Sequence, residues 1–321
     1  MPICTLWIMN KPAARYLRLL EQLPETVDLI VGDSEEAFQK APRPDAVFCG
    51  IGMGGLVKTM WPRVSEARWM HSFAAGLESI LFPELVASPM TMSNAKGVFG
   101  PSLGEFAIAS ALYFAKDLRR MVENQAAGKW DPFDVEELAG ATLGIVGYGG
   151  IGREAAKRAK AMGMKVLALR RHPGQSAGDG NVDAVYAPAE LDEMVAASDY
   201  LVVSAPNTAE TRGMIGEAQL RKMKKTAVLI NVGRGPVVVE SALIQALEEG
   251  WIKGASLDVF DEEPLPEGHA FYRLKNVLLS PHCADHTPTW LEDSMQFFVD
   301  NCQRFLKGEP LENVVDKSLG Y

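Results

Sequence analysis

Cysteine is scarce. The 321-residue chain has four, Cys4, Cys49, Cys283 and Cys302, with no CxxC pair and no framework spacing. That excludes a disulfide-stapled scaffold and a spaced zinc site, and it predicts a reduced, cytoplasmic setting. Long apolar runs are missing as well: none approaches the roughly 18 residues needed to span a bilayer. The opening MPICTLWIMNKPAARY has too short an apolar core for a signal peptide, and its basic residues follow that core, so it reads as a first strand. An excess of positive charge is also lacking. With 32 Lys and Arg against 41 Asp and Glu, the net charge is −9 and the pI near 5.2. A general nucleic-acid or anionic-membrane surface is thereby excluded, and any anion site must be local. There is no internal repeat and no low-complexity tract.

What is present is ordinary soluble composition, 47% hydrophobic and 23% charged, in a chain long enough for two domains. It is organised around residues 143–172. The apolar run Leu143 to Val146 leads at once into Gly147-Tyr148-Gly149-Gly150-Ile151-Gly152. Ala155, Ala156, Ala159 and Met162 then recur at helical spacing, and Lys165 to Leu169 makes a second apolar run. Strand, glycine turn, helix and strand within about 30 residues form a dinucleotide-binding unit. Gly147 allows the tight turn, Gly149 leaves room for a pyrophosphate, and Gly152 lets helix and sheet approach. The helix N-terminus offers N–H groups and partial positive charge to an anion. At the end of the second strand, where a carboxylate would bind the ribose 2′-hydroxyl, stand Arg170, Arg171 and His172, with no acid before Asp179. Guanidinium forks suit a 2′-phosphate, so NADP(H) is expected in preference to NAD(H). The alternative is a solvated strand end.

The first third alternates strand and helix. Strands are expected at Thr5 to Met9, Val27 to Val31, Ala46 to Cys49 and Ala67 to Phe73, with a helix over Ala13 to Leu23 presenting Tyr16, Leu19, Leu20 and Leu23. Gly50, Gly52 and Gly55 repeat the GxGxxG spacing, but no ribose reader follows, so this stretch reads as a turn at a strand end. The small residues Ala74-Ala75-Gly76 leave backbone N–H groups available to a carboxylate; a plain turn is the alternative. Residues 101–124, opening on Pro101, predict one long helix, and 125–140 an interdomain connection. Further strands are expected at 200–205, 227–232, 255–259 and 277–280, with helices at 190–197 and 240–249. Thr289 to Lys307 predicts an amphipathic helix presenting Leu291, Met295, Phe298, Cys302 and Phe305. Apolar strands alternating with helices imply parallel sheets covered on both faces.

Arg234, Glu263 and His282 each follow a predicted strand end on the far side of the glycine turn, where open parallel sheets bind ligands. Reducing a 2-oxo acid needs a cation for the carboxylate, a proton donor for the new hydroxyl, and a hydride. Arg234 supplies the cation. His282, with an ordinary pKa near 6.5, supplies the proton, and Glu263 orients and charges the imidazole.

The sequence resembles the D-isomer-specific 2-hydroxyacid dehydrogenase family, the group that includes glyoxylate/hydroxypyruvate reductases. The likeness runs over nearly the whole chain and is densest in GIVGYGGIGRE, SDYLVVSAPNTAETRGMI, LINVGRGPVV, ASLDVFDEEPLP and LLSPHCADHT. It implies an α/β fold of two Rossmann/flavodoxin-like domains with a cleft between them. Residues 1–97 plus 288–321 would form a discontinuous substrate-binding domain and 98–287 the NAD(P)-binding domain. It implies catalysis by Arg234, Glu263 and His282, and substrate contacts from Ala75, Gly76, Arg234 and His282. The cofactor would be lined by Tyr148, Gly149, Gly150, Ile151, Arg170, Arg171, Ala205, Pro206, Thr211, Val232, Gly233, Arg234, Asp258, His282 and Ala284. Asp258 falls on the carboxamide-binding position, and Arg170 where the NAD-selecting aspartate usually stands. The implied product is a D-2-hydroxy acid and the implied assembly a homodimer built on the helix after residue 100, with no nucleic-acid, membrane or metal partner. The sequence departs from the family pattern at Tyr148, where Leu or Met is commoner, and at Asp285 and His286, where small residues are.

Three rival readings remain. Gly100-Pro101-Ser102-Leu103-Gly104 matches GxSxG, and Ser102, Glu263 and His282 occur in nucleophile, acid, base order, but no buried strand precedes the serine. His282, Cys283, Asp285 and His286 cluster as metal ligands would, though not on a helix. A dinucleotide-sensing co-repressor-like protein on the same scaffold is the third.

Overall fold

The computed structural model describes residues 4–176 and 178–320. The chain divides into two compact units: one runs to Phe99 and resumes at Thr287, the other is Gly100–His286. Among the described residues no helix is long and apolar enough to cross a membrane.

The first unit holds a five-stranded sheet of β1 (Cys4–Met9), β2 (Val27–Gly32), β3 (Ala46–Cys49), β4 (Trp69–Ser72) and β5 (Thr91–Asn94). Its order is β2-β1-β3-β4-β5, every pairing parallel, which is the flavodoxin-like order. Alternation along the strands supplies two cores. Leu6, Ile8, Phe48 and Trp69 face Met295, Phe298 and Cys302 of the helix Trp290–Lys307. Trp7, Met9, Val47 and Met70 face Val57, Val64 and Leu85 on the other side. Of the face expected on the last helix, Met295, Phe298 and Cys302 are fully buried, while Leu291 and Phe305 pack at its margin.

The second unit is a seven-stranded sheet of β6 (Thr142–Val146), β7 (Lys165–Leu169), β8 (Ala184–Tyr186), β9 (Tyr200–Val203), β10 (Val228–Asn231), β11 (Gly254–Leu257) and β12 (Val277–Leu279). Its order is β12-β11-β10-β9-β6-β7-β8, again all parallel. The direction of winding reverses at β6, so the glycine turn leaves the sheet at the topological switch point where such sheets bind ligands.

Four expectations are corrected. Residues 101–124 are not one helix: an α-helix spans Gly100–Ala115 and a second Leu118–Ala126. Between them Asp117 adopts φ 46° and accepts a hydrogen bond from the Arg120 N–H at 3.4 Å, a short acidic side chain stabilising a left-handed break. Residues 125–140 lie inside the second unit rather than between the two. The Glu136 N–H donates to Ala115 O, and Lys116 donates to the Glu136 carbonyl at 2.6 Å. The helix expected over Ala13 to Leu23 is a 3-10 helix over Arg15–Gln22; Tyr16, Leu20 and Leu23 are buried, and Leu19 is only partly covered. Met162, expected on the buried face of its helix, ends that helix and is 40% exposed.

Candidate active site

The glycine turn is built by contact. Gly147 adopts φ 92°, and a Cβ there would sit 2.6 Å from the Ala205 backbone, so only glycine fits. A Cβ on Gly152 would lie 2.8 Å from Gly147 O, so the helix Gly150–Ala161 closes tightly on the turn. Over Gly149 nothing lies within 4 Å, which is the open cradle a pyrophosphate requires. The Gly147 and Tyr148 N–H groups both donate to Leu169 O at 3.2 Å, tying the turn to the end of β7.

Beyond β7 the Arg170 guanidinium donates to Ser176 Oγ at 2.8 Å and Gln175 Oε1 at 2.7 Å. Both partners are neutral, so its charge is aimed but not cancelled. Arg171 pairs with Glu210. Tyr148 is buried, and its hydroxyl donates to Asp179 at 2.9 Å. Arg153 pairs with the same carboxylate at 2.9 Å and lies over the Tyr148 ring at 5.2 Å. Burial, then Asp179, pushes the Tyr148 phenol above its ordinary value, so it serves as a donor. This Tyr148–Asp179–Arg153 cluster was not visible in the sequence, because its members lie up to 31 residues apart.

After β9, Ala205 is buried, and Thr208 N–H donates to Thr211 Oγ1 at 2.8 Å to fold the loop around Pro206. Within it, Asn207 Oδ1 is buried without a partner. A buried acceptor lacking a donor is a group that a polar ligand would satisfy. The open cradle, the unsatisfied acceptor and the uncancelled guanidinium fit a phosphate-bearing dinucleotide.

The acid–base centre lies on the loops after β10, β11 and β12. Asn231, the last residue of β10, accepts from Gly233 N–H and donates to Arg234 O, each at 3.1 Å. That grip fixes the backbone carrying the Arg234 side chain; Val232 is buried beside it. After β11, the Phe260 N–H holds Glu263 Oε1 at 2.9 Å, leaving Oε2 to meet His282 Nδ1 at 2.6 Å. A carboxylate at neutral pH only accepts, so Nδ1 carries the proton and Nε2 is the nitrogen free to exchange one. The Glu263 hydrogen bond outweighs burial and raises the imidazole above its usual range. Burial pushes Glu263 up, but the His282 hydrogen bond, the Phe260 N–H and the charges of His282 and Arg234 prevail and hold it below the carboxylate range. Arg234's charge acts on both members of the pair.

Asp258 is 1% exposed. Its Oδ1 accepts from Ser280 Oγ at 2.5 Å and from the Cys283 and Ala284 N–H groups at 3.0 and 3.1 Å. Asp285 follows on the same turn, its carboxyl raised by burial and only partly offset by His286; the two approach at 3.8 Å.

In the first unit, Ala74–Gly76 follows β4. Side chains tie down its carbonyls: Ser72 Oγ donates to Ala74 O at 3.1 Å and Asn94 Nδ2 to Ala75 O at 2.7 Å. The Ala75 and Gly76 N–H groups make no hydrogen bond within the described residues. Trp61 and Met53 pack on one core of this unit and Trp290 on the other.

Ser102 is no nucleophile on a strand-to-helix elbow. It sits in the first turn of Gly100–Ala115 and donates to Ala284 O at 2.7 Å. Among the described residues no three His, Cys, Asp or Glu side chains gather as a metal would need.

The profile of the D-isomer specific 2-hydroxyacid dehydrogenase NAD binding domain matches residues 108–284. The glyoxylate reductase of Thermococcus litoralis is 38% identical over 274 residues, covering 82% of this chain and 81% of that protein. That of Aeropyrum pernix is 35% identical over 318 residues, covering 94% and 93%. The NADPH-dependent glyoxylate/hydroxypyruvate reductase of Sinorhizobium meliloti, solved with NADP and sulfate, superposes with a TM-score of 0.84 at 26% identity, over 99% of this chain and 100% of that one. With a matched domain, relatives across most of its length and both sheets in place, the chain belongs to the D-isomer specific 2-hydroxyacid dehydrogenase family and is an NAD(P)-dependent oxidoreductase.

Proposed function

We propose that the protein reduces small 2-oxo acids of the glyoxylate and hydroxypyruvate type to D-2-hydroxy acids, preferring NADPH to NADH. One observation carries this reading: an imidazole held 2.6 Å from a carboxylate, with the charge of Arg234 acting on both. Related proteins named glyoxylate reductase support the substrate class. A structural neighbour that is NADPH-dependent supports the cofactor, together with Arg170 on neutral partners.

The cofactor would rest on Tyr148 to Ile151, with Arg170 and Arg171 toward its 2′-phosphate. Ala205, Pro206, Thr211, Val232, Gly233, Asp258 and Ala284 would line the remainder. When bound, the nicotinamide supplies the hydride. The substrate carboxylate is assigned to the Arg234 fork. His282 delivers the proton from Nε2 to the new hydroxyl, while Glu263 holds the imidazolium charged and oriented. Four free cysteines fit a cytoplasmic enzyme. Exposed apolar residues on Leu118–Ala126 and the strand-free stretch after it, Val122 at 65% and Trp130 at 97%, support a homodimer.

The test is a panel of 2-oxo acids assayed with both cofactors on the parent, Arg170→Asp and His282→Ala. The parent should show higher kcat/KM with NADPH, and Arg170→Asp should move the preference toward NADH. His282→Ala should lower kcat by about 10²–10⁴ while NADPH still binds. Equal or better use of NADH by the parent sinks the cofactor assignment, and turnover surviving in His282→Ala sinks the proton donor.

A further inference from the structure

His282 stands on a left-handed backbone, φ 50°, a conformation that a side chain other than glycine keeps only when its surroundings impose it. The surroundings are unusually explicit. On one side of the turn, Asp258 Oδ1 gathers the N–H groups of Cys283 and Ala284 and the Ser280 hydroxyl. On the other, Ser102 Oγ donates to the carbonyl of Ala284, from 182 residues away in sequence. The peptide planes before and after Ala284 are thus held from two directions. Both arms rest on the same strand. Asp258 directly follows β11, and the helix carrying Ser102 is fastened to β11 by a buried contact between Ser110 Oγ and Ser256 Oγ at 2.8 Å. Without the Ser102 hydroxyl, Ala284 O loses its donor and that arm of the frame opens.

We propose that Ser102 is a positioning residue for the imidazole: with Asp258 it clamps Ser280–Ala284 so that His282 keeps its left-handed backbone and its Nδ1 stays on Glu263. The proposal rests on the reading of His282 as the proton donor. The charged and titratable groups facing His282 are Glu263 and Asp258 from the β11 end, Arg234 from the β10 end, and Asp285 and His286 on its own turn. Ser102 is uncharged, so removing its hydroxyl alters none of them. Any movement of the imidazole titration in such a variant reports geometry.

The experiment compares Ser102→Ala, Ser102→Thr, Glu263→Gln, the double variant Ser102→Ala/Glu263→Gln, and His282→Ala as reference. All are assayed for NADPH-linked reduction across pH, with NADPH binding measured directly. Ser102→Ala should lower kcat about ten-fold, leave NADPH affinity unchanged, and shift the alkaline fall of reduction to lower pH. Ser102→Thr, which keeps the hydroxyl, should restore both. On the Glu263→Gln background the Ser102→Ala loss should shrink, because both act through one contact. A parental pH profile in Ser102→Ala, a loss undiminished on the Glu263→Gln background, or a fall in Tm alone overturns the clamp. If His282→Ala abolishes turnover while Ser102→Ala is parental, only the clamp fails; if His282→Ala retains turnover, the proton-donor reading fails first.

Discussion

A single proton on Nδ1 decides what His282 can do. Glu263 holds the imidazolium through the Nδ1–H and raises its pKa; under the proposed mechanism, in which the proton leaves from Nε2, reduction should persist to higher pH than a free histidine would allow and fall as pH rises through the raised value. Glu263→Gln removes the anion. The imidazole then titrates nearer its ordinary value, and the alkaline fall of reductive kcat/KM moves to lower pH; an unmoved profile would show that Glu263 does not support the charge. Arg234, Glu263 and His282 could be picked out because each follows a short, largely apolar run within a few residues. Ser102, Asn207 and Asp179 were not. Their meaning lies in partners distant in sequence or in a missing donor, and the local pattern around Ser102 even suggested a nucleophile.

At the scale of elements, strands were easier to read than helices. Parallel strands buried on both faces leave continuous apolar runs, and β3 and β7 fall where such runs stand. The three-residue β8 and the mixed β5, Thr91–Asn94, carry too little apolar signal to stand out. The break at Asp117 escaped because hydrophobic spacing continues across it, while the left-handed turn depends on one aspartate's short side chain. The break also sets the direction of Leu118–Ala126, which buries no residue of its own. Leu118, Met121, Val122, Trp130 and Val135 are all exposed along this stretch. If a second copy covers them, Val122→Glu combined with Trp130→Ser should convert a dimer to a monomer in light scattering, since a tryptophan alone carries about 150–250 Å² of buriable surface. A variant that stays dimeric would place the interface elsewhere.

At the scale of the whole molecule, acid meets a histidine that the fold keeps neutral. In the first unit, His71 is fully buried among Phe48, Trp69, Phe297 and Phe298. Ser93 Oγ accepts from Trp69 Nε1 at 2.9 Å and shares a hydrogen bond with His71 Nδ1 at 2.8 Å. The His71 Nε2 is buried without a partner. Burial pushes this histidine down to about 3. The unfolded chain takes up a proton near pH 6.5 while the folded one refuses it until about 3. Stability is thus full above 6.5 and declines as pH falls through that window. His71→Phe should reduce the drop in Tm between pH 7 and pH 4.5; an unchanged drop would assign acid sensitivity to other groups.

The apolar sheet face formed by Leu6, Ile8, Phe48 and Trp69 is covered partly by Tyr16, Leu20 and Leu23 nearby in sequence, and partly by Met295, Phe298 and Cys302 of the last helix. On a ribosome, Gly100–His286 must all be translated before that helix exists, roughly ten to forty seconds at common elongation rates. The nascent N-terminal third therefore waits with part of that face uncovered until the final segment emerges.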